Sequence, residues 1–199
     1  MLTATYTLVT LAVEQTRIRV GLQSLRQMLH AYYVNQGALS AEQVAHATGT
    51  MRHLHDACHW RKLDKVLIPA VRRATRLADD LLAALDALSV QAADALAVTR
   101  AFDGAIDDDE QVAAFCAVVD TFYRAMLARL EREEQELFPL ARAAVTGEAW
   151  FALANQLLAH DAYLQEQRTE PALTGQPRRP WRPRHEPAVR PGVRLTTFH

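Results

Sequence analysis

The sequence predicts an all-α protein: an up-down-up-down bundle of four helices, followed by a short fifth helix and an extended C-terminal tail. Half of the 199 residues are apolar and only seven are glycine, a composition that favours helices around one core. In four long segments the apolar residues recur at steps of three and four positions, the spacing of an amphipathic helix. Polar or glycine-containing breaks separate these segments, as in a bundle with short connections.

The first two helices are predicted from their stripes and caps. The first is expected to end at a cap near Asn35-Gln36-Gly37, and its stripe comprises Leu8, Leu11, Gln15, Ile18, Leu22, Leu25 and Leu29. The second is expected to begin at Ser40, because Gln43 three residues later completes a capping box. It is expected to end at about Pro69, with a stripe that comprises Val44, Thr48, Met51, His55, His59, Leu63 and Val66.

The remaining helices follow in order. A third helix is predicted over roughly 75–100, with a stripe of Leu77, Leu81, Leu85, Leu88, Ala92 and Leu96. The polar run 103–109 breaks this pattern, and its aspartates suit the start of a fourth helix. The fourth stripe comprises Phe115, Val118, Phe122, Met126, Arg129, Glu133 and Leu137. A shorter fifth helix is predicted over about 148–165, with Trp150, Leu153 and Leu157 on its apolar side.

The C-terminal segment differs from the rest, so we assign residues 1–167 to the bundle and 168–199 to a tail. Six of the eight prolines lie between positions 171 and 191, which predicts an extended or disordered arm. Seven arginines against two glutamates give this arm a net charge of +5. Such an arm suits an acidic protein partner or a second subunit of a homo-oligomer. The lack of lysine clusters and repeated aromatics disfavours nucleic acid.

The composition also limits location and chemistry. Two cysteines, Cys58 and Cys116, do not make a disulfide framework, which predicts a cytoplasmic protein. The sequence has no secretory leader pattern and no run approaching the roughly 20 apolar residues of a membrane span, so no membrane association is expected. Gly-rich phosphate loops, serine-nucleophile motifs and paired CxxC motifs are absent. This removes several enzyme classes and leaves open whether the protein is an enzyme.

The two prolines outside the tail, Pro69 and Pro139, reveal an internal repeat. "HWRKLDKVLIPAV" begins at His59 and "RLEREEQELFPLA" begins at Arg129, and each places two apolar residues before its proline. Each also has an acidic residue five positions after its first residue. Two such motifs, at the ends of the second and fourth helices, predict a bundle with two-fold pseudo-symmetry.

These motifs, above all "EEQELFPLA", resemble the hemerythrin-like, or HHE cation-binding, four-helix bundles over about residues 5–160. The resemblance implies His-x-x-x-Glu-Glu before a Leu-Phe-Pro-like ending on the second and fourth helices. It also implies a Glu-His-like ligand position on the first and third helices. A histidine and a glutamate four residues apart share one helix face, so both reach a metal in the core. Imidazole and carboxylate together suit iron, and the resemblance implies a di-iron centre.

The chain departs from this pattern at most of the six ligand positions that the resemblance implies. His59 and Glu133 match the pattern. Arg129, however, stands at the histidine position of the fourth helix, and Leu63 stands at the glutamate position of the second. On the first helix Gln15 takes the place of a histidine, and the third helix contains no histidine.

We therefore favour a bundle that has lost its di-iron centre and holds no metal, or binds one only weakly. A polar core pocket is then expected around Gln15, His59, Leu63, Arg129 and Glu133. The guanidinium of Arg129 is always charged. It is expected to pair with the buried carboxylate of Glu133 and to hydrogen-bond Gln15. The protein is then a binding or regulatory protein for a protein partner or for a small ligand, such as an anion or a carboxylate. The competing interpretation has the arginine snorkel to the bundle rim.

The histidines of "RHLHDACHW" keep an alternative open. His55 and His59 are spaced to hold one ion or a haem. With Glu133, and with Asp64 as a further candidate, they predict an altered ligand set for iron, zinc or haem in a metal-dependent sensor or enzyme. A cofactor-free enzyme that uses Glu133 or His59 as a general base is a third hypothesis.

Overall fold

A computed structural model describes residues 2–34, 36–59 and 61–169, with the side chains of residues 32 and 163–169 outside the description. The described residues form an all-α bundle, which confirms the predicted fold class. Their α-helices are α1 (Leu2–Met28), α2 (Ala41–His59), α3 (Ile68–Ala74), α4 (Asp79–Val98), α5 (Asp109–Arg132), α6 (Phe138–Ala144) and α7 (Gly147–Thr169). Three π-helical turns lie at Leu29–Tyr33, Leu63–Leu67 and Glu133–Leu137.

The bundle core is divided into two apolar clusters. The helices α1, α2, α4 and α5 surround it, and α7 packs along α1. Along α1, Leu11 belongs to one cluster and Ile18 to the other, and the fully buried Gln15 lies between them. The same order recurs on the chain after α5, where Glu133 lies between Leu130 and Leu137. The polar centre of the protein therefore lies between its two halves.

Two of the predicted helix starts have the expected caps. The Ser40 hydroxyl accepts a hydrogen bond of 3.2 Å from the Gln43 backbone N–H, and the Gln43 side chain accepts one of 2.8 Å from the Ser40 N–H. This is the reciprocal arrangement of a capping box. Before α5, the Asp108 carboxylate accepts a 3.0 Å hydrogen bond from the Gln111 N–H. Both caps satisfy donors that the first turn leaves without a helical partner.

The second helix departs from its prediction, because α2 ends at His59 and not at about Pro69. Its buried residues are Val44, Ala47, Met51, Leu54 and Cys58, which follow one another at steps of three and four. The predicted stripe instead took three successive steps of four from Met51 to Leu63. Each step of four advances about 40° beyond a full turn of a helix with 3.6 residues per turn. Two such steps carry His59 out of the core direction, and His59 is exposed.

Both proline motifs adopt the same local structure. In each, a π-helical turn of five residues leads into a seven-residue helix with the proline near its start, Pro69 in α3 and Pro139 in α6. Proline lacks an N–H, and its ring clashes with the carbonyl four residues earlier, so a regular α-helix cannot pass through this point. The π-helical turn widens the backbone there. The repeat seen in the sequence is thus also a repeat of conformation.

The outer elements agree with the sequence in part. The third long helix begins at Asp79, so Leu77, predicted on its stripe, lies outside it and is 87% exposed. Trp150, Leu153 and Leu157 of α7 are buried as predicted. This helix continues to Thr169, past the predicted boundary at 167, and the remainder of the predicted tail lies outside the described residues.

Two helical stretches of the described chain, Asp79–Ala101 and Asp109–Ala144, have the length and composition of a membrane span. Their α-helices, α4 and α5, pack against each other in the bundle. A core helix of a water-soluble bundle has the same composition, so these stretches are weak evidence for a membrane.

Candidate functional site

Glu133 is the centre of a buried polar site. It begins the second proline motif's π-helical turn, and its side chain is fully buried. One carboxylate oxygen accepts hydrogen bonds from the Gln15 side-chain amide at 2.7 Å and from Arg61 Nη1 at 2.8 Å. The other accepts from Arg61 Nη2 and from Arg129 Nε, the latter at 2.9 Å. Four N–H donors from three separate segments of the chain thus converge on one carboxylate.

Asp64 supplies a second carboxylate next to the first. One of its oxygens accepts from Arg61 Nε at 3.2 Å, and the other accepts from Arg129 Nη2. Its side chain is 19% exposed, whereas those of both arginines are buried. The guanidinium of Arg129 also donates to the Ser89 hydroxyl on α4. We call Arg61, Asp64, Arg129 and Glu133 the ion-pair cluster.

The ion-pair cluster is electrically balanced, because two guanidinium groups face two carboxylates. Burial disfavours the charge on Arg61, but the neighbouring Glu133 carboxylate outweighs burial and raises the pKa of Arg61. Burial likewise opposes the charge on Arg129, and its negative neighbours still raise its pKa. Both guanidinium groups are therefore permanent cations within the core. The Cys58 thiol lies near them, and burial raises its pKa, which keeps it protonated.

The structure brings together most of the residues expected in the pocket. Gln15 and Arg129 each donate a hydrogen bond to Glu133, as described above, and the expected pairing of the guanidinium with the carboxylate is present. Leu63 is buried in the adjacent apolar cluster. His59 does not join them, because α2 ends there and the chain turns before the next helical segment.

The expected histidine metal site is not assembled either. His55 is only partly buried on α2, with Nδ1 3.7 Å from the exposed carboxylate of Asp56, and His59 is exposed. Glu133, by contrast, is fully buried, so it belongs to a different environment. Of the altered ligand set, only Asp64 and Glu133 lie together, and both accept hydrogen bonds from arginine.

Arg61 is the site residue that the sequence reasoning missed. It follows the turn at the end of α2, where its backbone N–H still bonds the Cys58 carbonyl at 3.5 Å and its Nε donates to the same oxygen at 3.1 Å. A charge count offered a signal. If Asp64, a candidate ligand outside the predicted stripe, faces the interior together with Glu133, Arg129 balances only one of them and a second buried cation is needed.

The donor set of this site does not fit a metal ion. Metal ions bind through lone pairs of carboxylates, imidazoles and thiolates. Here both oxygens of Glu133 and both of Asp64 already accept from guanidinium groups. Within the described residues, no group of three or more histidine, cysteine, aspartate or glutamate side chains is arranged to hold a metal.

A second ionic group adjoins the ion-pair cluster through the next residue of the chain, the buried Lys62. Its Nζ lies 2.6 Å from the Asp161 carboxylate and 3.4 Å from that of Glu14. The Glu14 carboxylate also accepts the Lys62 backbone N–H at 3.2 Å. His160 of α7 is buried beside this group, and burial lowers its pKa below the usual 6.5.

Comparison with known proteins agrees with the fold and with the motifs that frame the site. The model of the Hemerythrin HHE cation binding domain matches residues 9–141, about two thirds of the chain. This span includes every residue of the ion-pair cluster and both proline motifs. No curated protein and no solved structure matches the chain. By the extent of the family match, the chain belongs to the hemerythrin HHE cation-binding domain family.

Proposed function

We propose that this protein is a metal-independent member of its family, with a binding or regulatory role rather than one in oxygen transport. One observation carries the proposal. Glu133, at the position where the family motif places a metal ligand, has both carboxylate oxygens engaged by the N–H groups of Gln15, Arg61 and Arg129. The core site is therefore complete without an ion.

Electrostatics supports the same conclusion. A cation entering the ion-pair cluster would approach two guanidinium groups that cannot lose their protons. Repulsion between like charges is strong where the surroundings exclude water. The entering ion would also have to break hydrogen bonds that satisfy both arginines, and a buried cation left without its partner is costly. The cluster thus opposes metal binding in two independent ways.

Metal analysis tests the proposal directly. For the full chain purified without a histidine tag, mass spectrometry is expected to find less than about a tenth of an equivalent of iron or zinc, a level that excludes a structural ion. Chelation is expected to leave the thermal unfolding temperature unchanged. Stoichiometric metal that is lost in Glu133→Gln would overturn the proposal. Metal lost in His59→Ala but kept in Glu133→Gln would instead indicate a surface site and favour the sensor or enzyme alternative.

The ligand class that the cluster supports best is a small carboxylate. Asp64 is the one partly exposed member of the ion-pair cluster, and it contacts both arginines. A small carboxylate that replaced it would take over the same N–H donors, as guanidinium groups recognise any carboxylate in this way. The balanced charge of the cluster means that such a ligand binds by exchange with Asp64, not by attraction to a free cation.

Calorimetric titration with acetate and formate tests this ligand class. Asp64→Asn weakens the internal competitor and leaves the arginines in place, so it is expected to bind these anions more tightly than the wild-type chain does. Arg129→Leu removes one of the two cations and is expected to lower the affinity in either background. Unchanged affinity in Arg129→Leu, or no binding to Asp64→Asn, would remove small carboxylates from consideration and leave the metal test unaffected.

A further inference from the structure

Helix α1 is apolar on two opposite faces. Its buried stripe faces the bundle core and comprises Ala4, Thr7, Leu11, Gln15, Ile18, Leu22 and Leu25. Its exposed apolar side chains are Leu2, Tyr6, Val9, Val13 and Val20, with exposures between 49 and 89%. A helix that is apolar on all sides is normally covered on all sides. The outward face of α1 is thus an unusual surface for a solvated helix.

The exposed residues follow a regular seven-residue pattern. With the exposed Thr16 included, they lie at successive steps of four, three, four, three and four residues, and we call these six positions the outer stripe. This spacing is that of the contact positions where two helices pack along their length. No residue from 2 to 13 is charged, on either face of the helix. Surfaces that face water normally carry interspersed charges.

We propose that the outer stripe is the interface with a second copy of this chain, in which the two α1 helices pack antiparallel. The steps of the outer stripe read the same in both directions, so a two-fold axis near Leu11 makes the stripe complementary to itself. Leu2 then lies opposite Val20 of the second copy, and Val9 lies opposite Val13. Tyr6 and Thr16 form the remaining pair, between the central Val9–Val13 pair and the outermost Leu2–Val20 pair.

The distribution of charge selects the antiparallel arrangement. Arg17 flanks the outer stripe near its C-terminal end, whereas residues 2–13 of α1 carry no charge. Parallel helices would bring Arg17 close to its own counterpart, and like charges at an interface are repelled. In the antiparallel arrangement Arg17 instead lies beside Tyr6 of the second copy, where a guanidinium can pack on the aromatic ring. The charges therefore favour one orientation over the other.

The size of the contact sets the expected strength. A stretch of 19 residues of α-helix is about 28 Å long, since each residue rises about 1.5 Å. One helix pair of this length gives an interface near the lower limit of specific contacts, about 1,000 Å² in total. We therefore expect a reversible dimer with a Kd in the micromolar range, about 1–100 µM. This interface lies on the side of α1 opposite the ion-pair cluster, so it does not depend on the function proposed for that cluster.

Sedimentation velocity of the full chain over this concentration range tests the proposal with two charge variants. Val9→Glu combined with Val13→Glu places glutamates opposite each other twice, and we expect it to raise the Kd at least about tenfold. Val9→Glu combined with Val13→Lys places glutamate opposite lysine in the antiparallel dimer and restores association. In a parallel dimer the same variant would face identical charges and would stay monomeric. Val90→Glu, at an exposed valine of α4, is the matched control and is expected to leave the dimer intact.

The outcomes separate the second copy from other ways of covering the outer stripe. Both substituted valines are about half exposed, so circular dichroism is expected to show the same helix content and unfolding temperature in all variants. A wild-type chain that stays monomeric throughout overturns the proposal, whether residues 170–199 or another molecule covers the stripe. A dimer that is broken by Val90→Glu and not by the α1 variants overturns it as well, because the interface would then lie on α4.

Discussion

The two proline motifs share a backbone conformation and differ in which side chains they turn into the core. Each has a π-helical turn followed by a seven-residue helix. In the second motif α5 runs without interruption to Arg132, so Arg129 and Glu133 face inwards one turn apart. In the first motif α2 ends at His59, and the equivalent of Arg129 is left exposed.

Because α2 ends at His59, the residues that follow in the first motif are placed differently from their equivalents in the second. Arg61 is buried in the first motif, whereas Glu131, its equivalent in the second, is exposed. Asp64 joins the ion-pair cluster, whereas its equivalent Glu134 pairs at 2.8 Å with Arg19 outside the core. Equivalent residues of the two motifs therefore have the same role only where the helix that carries them is continuous in both motifs, so that their side chains point to the same side. This difference explains why the site has arginines from two different motif positions.

The largest effect is expected when the carboxylate at the centre of the second motif is neutralised. Glu133→Gln leaves both guanidinium groups buried with Asp64 as their one remaining carboxylate partner in the cluster. Breaking a buried ion pair from one side costs about 3–5 kcal/mol of unfolding free energy. Urea denaturation measures this loss. Glu134→Gln, at the equivalent of Asp64, removes an exposed ion pair and is expected to cost less than about 1 kcal/mol; equal losses in both variants would contradict the assignment.

A smaller effect is expected from the exchange of roles at positions 59 and 61. Arg61→Met keeps much of the side-chain volume and removes the two-pronged contact with Glu133, which retains Arg129 and Gln15 as donors. Hydrogen bonds to charged groups contribute about 1.5–3 kcal/mol, and we expect a loss in that range. His59→Ala, at an exposed position, is expected to stay within about 0.5 kcal/mol. A larger loss of unfolding free energy in His59→Ala than in Arg61→Met would contradict this assignment, because position 59 would then face the core as its equivalent Arg129 does.

The helical phase of each predicted stripe decides which site residues were predicted correctly from the sequence. The stripe around Gln15 alternates steps of three and four, and the stretch from Met126 through Arg129 to Glu133 takes one step of three and one of four, which keeps residues on one side of a helix. All three residues are buried. Successive steps of four from Met51 to His59 rotate away from the core-facing side. The predicted continuation of α2 was therefore wrong, and so was the placement of His59 in the core.

Other parts of the site depend on contacts between distant segments. Arg61 reaches Glu133 across 72 positions of the chain, and Arg129 reaches Ser89 across 40. Periodicity along one helix indicates which face is buried but not which residue of another helix lies opposite. Charge balance points to a second buried cation only once Asp64 is placed beside Glu133 in the core. The outer stripe of α1 could not be predicted from the core-facing stripe, because periodicity marks one buried face and does not show that the opposite face also has a partner.

A third, smaller effect is expected at the hydroxyl that receives Arg129. Ser89→Ala removes the acceptor of one guanidinium N–H, and we expect a loss of about 1.5 kcal/mol, the lower end of the range for hydrogen bonds to charged groups, because a single hydrogen bond is lost. Ser24→Ala is a matched control, because Ser24 and Ser89 both donate to the carbonyl four residues earlier in their own helices. Ser24 is exposed, and its loss is expected to cost no more than about 0.5 kcal/mol in the same urea measurement. A cost at Ser89 no greater than that at Ser24 would argue against the contact with Arg129.

The smallest effect concerns pH and sharpens the contrast between the ion-pair cluster, whose two arginines stay charged, and the ionic group around Lys62. Burial lowers the pKa of His160, so below the usual 6.5 the unfolded chain binds a proton that the folded chain resists. The contribution of His160 to stability is therefore full above pH 6.5 and declines as the pH falls from there towards the folded pKa. Chemical denaturation of the wild-type chain and of His160→Gln between pH 8 and pH 5.5 measures it. As the pH falls, we expect the unfolding free energy of the wild-type chain to decrease more than that of His160→Gln. His53→Gln, at an exposed position, controls for the loss of a histidine. Parallel curves for the wild-type chain and His160→Gln would mean that His160 takes up its proton as readily in the folded bundle as in the unfolded chain.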